Sequence, residues 1–232
     1  MNQLLPKVLI FLTFFGSCII IGLLLSSLVT TSWIQSHVTY LANGSTSASE
    51  KSSKYGHVQF GLFNYVKTLN HGYGERNEKD INVIEIVKAE DEQLGNYWLW
   101  LFTALGTGFS LFASSIAAVA SVVGTIKEQG GMALILASNV VSGLGQFVAL
   151  LCWSIQFLMY LQHNVLLKVD QEKWSSKDHA TFGYSFYFIV FAFCIIILNI
   201  IFLMSARRAD IRFRKNLEGT SDEKEGNSIM LY

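Results

Sequence analysis

The sequence predicts an all-α membrane protein, a four-transmembrane-helix bundle with a small extracellular β-layer from its first long loop. Three observations predict it. No Asp, Glu, Lys or Arg falls between Lys7 and Glu50, Glu92 and Lys127, Glu128 and Lys168, or Asp178 and Arg207. A soluble chain of 232 residues, half of them apolar, needs charge on every helix to stay solvated. Uncharged apolar runs of about eighteen residues or more read as membrane spans. The second observation is the strand-like alternation within segment 31–96. The third is that basic residues crowd the span ends on one side only.

The first span is predicted at 8–29. At about 1.5 Å rise per residue it reaches about 33 Å, enough for a hydrocarbon core of about 30 Å. A cleaved signal peptide is the rival reading, but its apolar core is about 7–15 residues long. Ser26-Ser27-Leu28 is also a poor cleavage site.

The first loop, 31–96, opens at Trp33, an amphipathic ring placed for an interface. Ile34, Val38 and Tyr40 alternate with polar residues as in a half-buried strand. Asn43-Gly44-Ser45 is a glycosylation sequon in a small-residue loop. Tyr55 to Val66 reads as one further strand, with Val58, Phe60 and Leu62 on one face and Phe63 and Tyr65 on the other. Phe60-Gly61-Leu62-Phe63 is its central stretch, and Gly61 predicts a close backbone approach. Packing of Trp33 on Leu62 is expected to hold this layer on the bundle. His71-Gly72-Tyr73-Gly74 is a turn, and Ile81 to Lys88 suits a short helix or a strand.

The second span is predicted at 97–123. Gly106, Ser110, Ser114 and Ala118 recur every four residues and share one face, as small residues do where helices approach closely in lipid. That face is expected to meet the first or third span. A tight inner turn, 124–131, leads to the third span at 132–160. There Ser138, Ser142 and Gln146 form one polar stripe expected to bond across to other helices. The second outer loop is 161–181, and the fourth span is 182–205. The tail, 206–232, places Arg207, Arg208, Arg212, Arg214 and Lys215 beside the span, for contact with anionic lipid. Residues 222–228 are expected to be disordered. The chain ends Met230-Leu231-Tyr232. Tyr232 and Met230 would share a groove if the end adds a strand to a PDZ-type scaffold. The rival placement lays that apolar end on the bilayer.

With four spans, both termini lie on one side. Lys7, Lys127 and the tail cluster flank the spans there, while no basic residue follows the first span within fifteen positions. The positive-inside rule makes both termini cytoplasmic and places Asn43 outside.

Neutral net charge argues against nucleic acid as a partner. Cys18, Cys152 and Cys194 all lie in apolar runs, which leaves the loops without a disulfide framework. No catalytic or phosphate-binding motif occurs, so no enzyme activity or cofactor is expected. The five histidines, His37, His57, His71, His163 and His179, are scattered and show no metal-ligand spacing. No span carries a charge of the kind that marks ion or proton coupling.

Trp33 followed by Gly61-Leu62 before an aromatic resembles the W…G-L-W signature of the claudin and peripheral-myelin-protein superfamily. The chain is more similar to the clarin family, which carries Tyr-Gly-Leu-Phe at Phe60-Gly61-Leu62-Phe63. The clarin likeness extends to Ile81–Lys88, to Tyr184-Ser185-Phe186 at the head of the fourth span, and to the apolar end Met230-Leu231-Tyr232. It covers the whole chain in span order and loop length. The loop cysteines of claudins and many clarins are absent here. The resemblance implies a non-enzymatic plasma-membrane protein of sensory cells. Such a protein would organise, or be an auxiliary subunit of, complexes of other membrane proteins and the actin cortex. Claudin-like adhesion and a small channel or transporter are the other classes.

Overall fold

The computed structural model describes residues 4–41, 54–77, 80–89, 94–126 and 131–229. Its elements in chain order are α1 (Leu4–Val29), β1 (Ile34–Tyr40), β2 (Tyr55–Phe60), β3 (Asn64–Asn70), β4 (Glu75–Asn77) and β5 (Ile81–Asn82). There follow α2 (Val83–Lys88), α3 (Tyr97–Ile126) and α4 (Gly131–Gln156), which ends in a π turn at Phe157–Leu161. The chain closes with α5 (Lys168–Gln171), β6 (Trp174–Ser175), β7 (Ala180–Phe182) and α6 (Tyr184–Ile229).

Four of these helices are long and apolar enough to cross a membrane: Pro6–Val29, Tyr97–Thr125, Gly131–Leu161 and Tyr184–Arg212. They form a ring in which α1 packs on α3 and α6, and α4 packs on the same two helices. The bundle is apolar outside and partly polar inside. Phe109, Phe112, Val119, Leu144 and Phe191 are exposed, whereas Thr13, Ser110, Ser142, Gln146 and Asn199 are buried. A soluble protein buries its apolar faces, and this reversal suits lipid as the surrounding solvent.

At one end of the bundle lies a seven-stranded antiparallel sheet of order β4-β3-β2-β1-β6, with β5 on β3 and β7 on β1. One face of β1–β3 rests on the bundle through Ile34, Val38, Val58, Phe60, Tyr65 and Leu69. The other face is polar, the alternation that period-two side chains produce.

Four expectations are corrected. First, segment 55–66 is a hairpin. Gly61 N donates to Asn64 O at 2.9 Å, and Phe60 pairs directly with Tyr65. Phe60 and Tyr65 therefore share the buried face, and Phe63 sits exposed in the turn. Second, the second loop is part of the sheet, because β6 and β7 both pair with β1. Third, Phe182 closes β7, so the last span begins at Tyr184. Fourth, residues 222–228, expected to be disordered, are helical. Helix α6 runs on to Ile229. Nucleation is the costly step of helix formation, and here the apolar span has already supplied it. No proline interrupts residues 206–229.

Candidate functional site

The joint between sheet and bundle is built on Trp33. Its ring is fully buried, its Nε1 donates to Ser27 O at 2.8 Å, and it meets Trp153 of α4 edge-on at 4.8 Å between centroids. Phe60 lies 6.2 Å from the same Trp153 ring. On the neighbouring side, Trp100 Nε1 donates to Leu62 O at 2.7 Å, and Tyr65 OH donates to Val165 O at 3.3 Å. Trp33, Trp100 and Tyr65 thus each combine apolar burial with a satisfied polar tip, as buried Trp and Tyr require. Trp33 and Leu62 are buried in one cluster, but the ring that holds Trp33 is Trp153.

Two glycines close this joint. A Cβ at Gly61 would lie 2.8 Å from Thr31 Cα and 2.9 Å from Asn64 O. A Cβ at Gly183 would collide with the Ser32 carbonyl. There the backbone crosses over β1, with Gly183 N donating to Trp33 O at 2.9 Å and Ser185 N to Ser32 O at 3.1 Å. The sequence reading found Trp33 and Gly61. It did not single out Trp100, Trp153 or Gly183, which lie 67 to 150 residues further along the chain.

Below the joint, the small-residue face meets the third span. Ser110 and Ser114 hydroxyls reach the Ser142 hydroxyl at 2.8 and 2.7 Å, and Ser142 Oγ also donates to Ser110 O at 3.1 Å. A Cβ at Gly106 would lie 2.6 Å from Gly145 O, and one at Gly145 would lie 2.8 Å from Gly106 O. The α3 and α4 backbones therefore touch. Ala118 and Ser138 are also buried.

Further from the sheet, one polar knot joins all four spans. Asn199 Nδ2 of α6 donates to Asn139 Oδ1 of α4 at 3.4 Å and to Thr13 O of α1 at 3.5 Å. Thr13 Oγ1 lies 3.3 Å from Ser121 Oγ of α3. Gly16 leaves the room that Asn199 occupies.

Gln146 departs from expectation. Its amide is fully buried on the predicted stripe, yet neither polar atom has a hydrogen-bond partner among the described residues. The same holds for Gln156 and for Trp153 Nε1. A buried polar group left unsatisfied costs about 1–3 kcal/mol. Gln146→Leu is therefore expected to raise resistance to SDS-induced unfolding by about that amount. A loss of resistance would mean that the amide is bonded, by ordered water for example.

The interior offers little for chemistry. Among the described residues, the buried charge is Lys67 of β3, whose Nζ donates to Asp170 Oδ2 of α5 at 2.6 Å. Cys18 and Cys194 are exposed on the bundle surface and Cys152 is half-buried, all as free thiols. Arg207, Arg208 and Arg212 are exposed along α6. Arg214 and Lys215 follow on its backbone, so the predicted basic cluster is carried by a helix. Asn43 and Met230-Leu231-Tyr232 lie outside the described residues. In comparison with known proteins, the chain matches no protein-family model and no curated sequence.

Proposed function

We propose that this chain is a non-enzymatic, multi-pass plasma-membrane protein of clarin type, an organiser or auxiliary subunit for other membrane proteins in sensory cells. The supporting observation is the interior of the bundle. Most of its polar side chains bond to one another, at Ser110–Ser114–Ser142 and Thr13–Ser121–Asn139–Asn199, and residues 8–29, 97–125, 131–161 and 184–206 contain no Asp, Glu, Lys or Arg. Coupling to ions or protons needs intramembrane charge, which these stretches lack. The organiser reading is supported instead by surface: an apolar bundle exterior, a sheet with one polar face and a basic helix suited to anionic lipid.

In this reading both termini are cytoplasmic and the sheet faces outward. The end of α6 then presents Met230-Leu231-Tyr232 to a PDZ-type scaffold, which requires the last helical turn to unwind into a strand. Orientation is testable directly. Asn43→Gln is expected to abolish an endoglycosidase-sensitive gel shift. Glycosylation of a sequon engineered into the tail would reverse the assignment.

The organiser reading is tested with the purified protein in liposomes and with cells that express it. It predicts no ion conductance, no cell aggregation, and a defined set of membrane proteins that co-purify in mild detergent. Aggregation between expressing cells would instead establish the claudin-like adhesion reading, and conductance would establish a channel.

A further inference from the structure

His37 and His57 are twenty residues apart in sequence and show no ligand spacing. The fold pairs them directly, opposite each other on β1 and β2. Their ring centroids lie 4.4 Å apart at an interplanar angle of 65°, and both side chains are exposed on the polar face of the sheet. We propose that this cross-strand pair is a two-histidine chelate for a borderline divalent transition cation such as Zn2+ or Cu2+.

The chemistry fits the class. Imidazole nitrogen is the common protein donor for these ions, at about 2.0–2.1 Å for Zn2+. Two rings at this separation need only side-chain rotation to bring one nitrogen each to a shared ion. Calcium and magnesium take oxygen shells and are not served here. The cross-strand neighbours on this face include Gln35, Thr39, Tyr55 and Gln59, with Thr68 across from His57 and Thr181 across from Gln35. None carries a charge that would repel a cation.

The pair is also held in place. Val38 and Val58 flank it on the opposite face and are almost fully buried. A one-residue slip of either strand would expose that apolar face, so the register is fixed. A site on rigid strands loses little order on binding. Among the described residues no group of three or more His, Cys, Asp or Glu forms a metal shell. The histidines are therefore the two protein ligands, and water completes the shell. Such an ion would clip β1 to β2 at the base of the 41–54 connection, in a chain whose cysteines are all elsewhere. Binding to the folded state alone raises stability by mass action.

The experiment is a Zn2+ titration of the full-length, tag-free protein in detergent, with Mg2+ as the hard-cation control. One equivalent of Zn2+ is expected to bind and to raise the unfolding midpoint. His37→Gln and His57→Gln are each expected to weaken binding at least tenfold and to abolish the shift. Both residues are exposed, so both variants should keep the parent midpoint in the absence of metal. His71→Gln is expected to bind as the parent does. Parent-like Zn2+ affinity in His37→Gln and His57→Gln would overturn the proposal, as would an equal loss in His71→Gln.

Discussion

Trp33→Ala is expected to destabilise the protein by about 3–5 kcal/mol, the range for removing a large buried aromatic. The loss has three parts. The indole leaves a cavity between β1 and α4, Trp153 loses its edge-on partner, and the Ser27 carbonyl loses the Nε1–H donor. Natural proteins carry only about 5–15 kcal/mol of stability in all, so this is a large fraction. SDS titration of the purified variant checks the magnitude. In cells the expected result is retention in the endoplasmic reticulum. Wild-type stability and trafficking would mean that the sheet is held on the bundle by something other than this ring.

Gly61→Ala is the second large effect. The added methyl would meet the Thr31 backbone at 2.8 Å and the Asn64 carbonyl at 2.9 Å. Neither can swing aside as a side-chain tip can. The hairpin or the α1–β1 connection must shift, and overpacking of this kind costs about 1–3 kcal/mol. Gly22 is the control. It lies in α1 with no atom within 4 Å of an added Cβ, and Ala is the better helix former by about 1 kcal/mol. Gly22→Ala is therefore expected to be neutral or stabilising under the same titration. If Gly61→Ala is equally harmless, the turn is looser than these distances require.

The spans were legible because lipid leaves a one-dimensional signature, the absence of charge. The boundary errors have a physical origin too. Phe182-Gly183 continues the apolar run into Tyr184, but Gly183 is where the backbone crosses β1, so the helix cannot start before it. Alternation gave β1 and located β2, but ran past its end at Phe60. The 60–63 hairpin was hidden because Phe60, Leu62 and Tyr65 are all apolar, and the pattern reads straight through the turn. Strands β6 and β7, two and three residues long, are shorter than any periodicity can register. The extension of α6 was missed because a polar composition says little about a helix already nucleated by its span.

For the interior, sequence identified which side chains are polar and not how they pair. Ser142 bonds across to Ser110 and Ser114, while Gln146 on the same stripe finds no partner among the described residues. That difference depends on where α3 and α4 touch through Gly106 and Gly145. Likewise, Trp153 gave no local signal, since a tryptophan inside an apolar run looks like any lipid-facing ring. Its role is visible only once β1 is laid across the end of the bundle.

The central structural claim is that sheet and bundle form one unit joined at Trp33 and Trp153. It is tested most directly by a double-mutant cycle on Trp33→Ala and Trp153→Ala, with stability measured by SDS titration of the purified protein. Contacting residues couple by about 0.5–3 kcal/mol, and a coupling in that range is predicted here, with the double variant less destabilised than the sum of the single ones. Strict additivity of the two substitutions would contradict the claim.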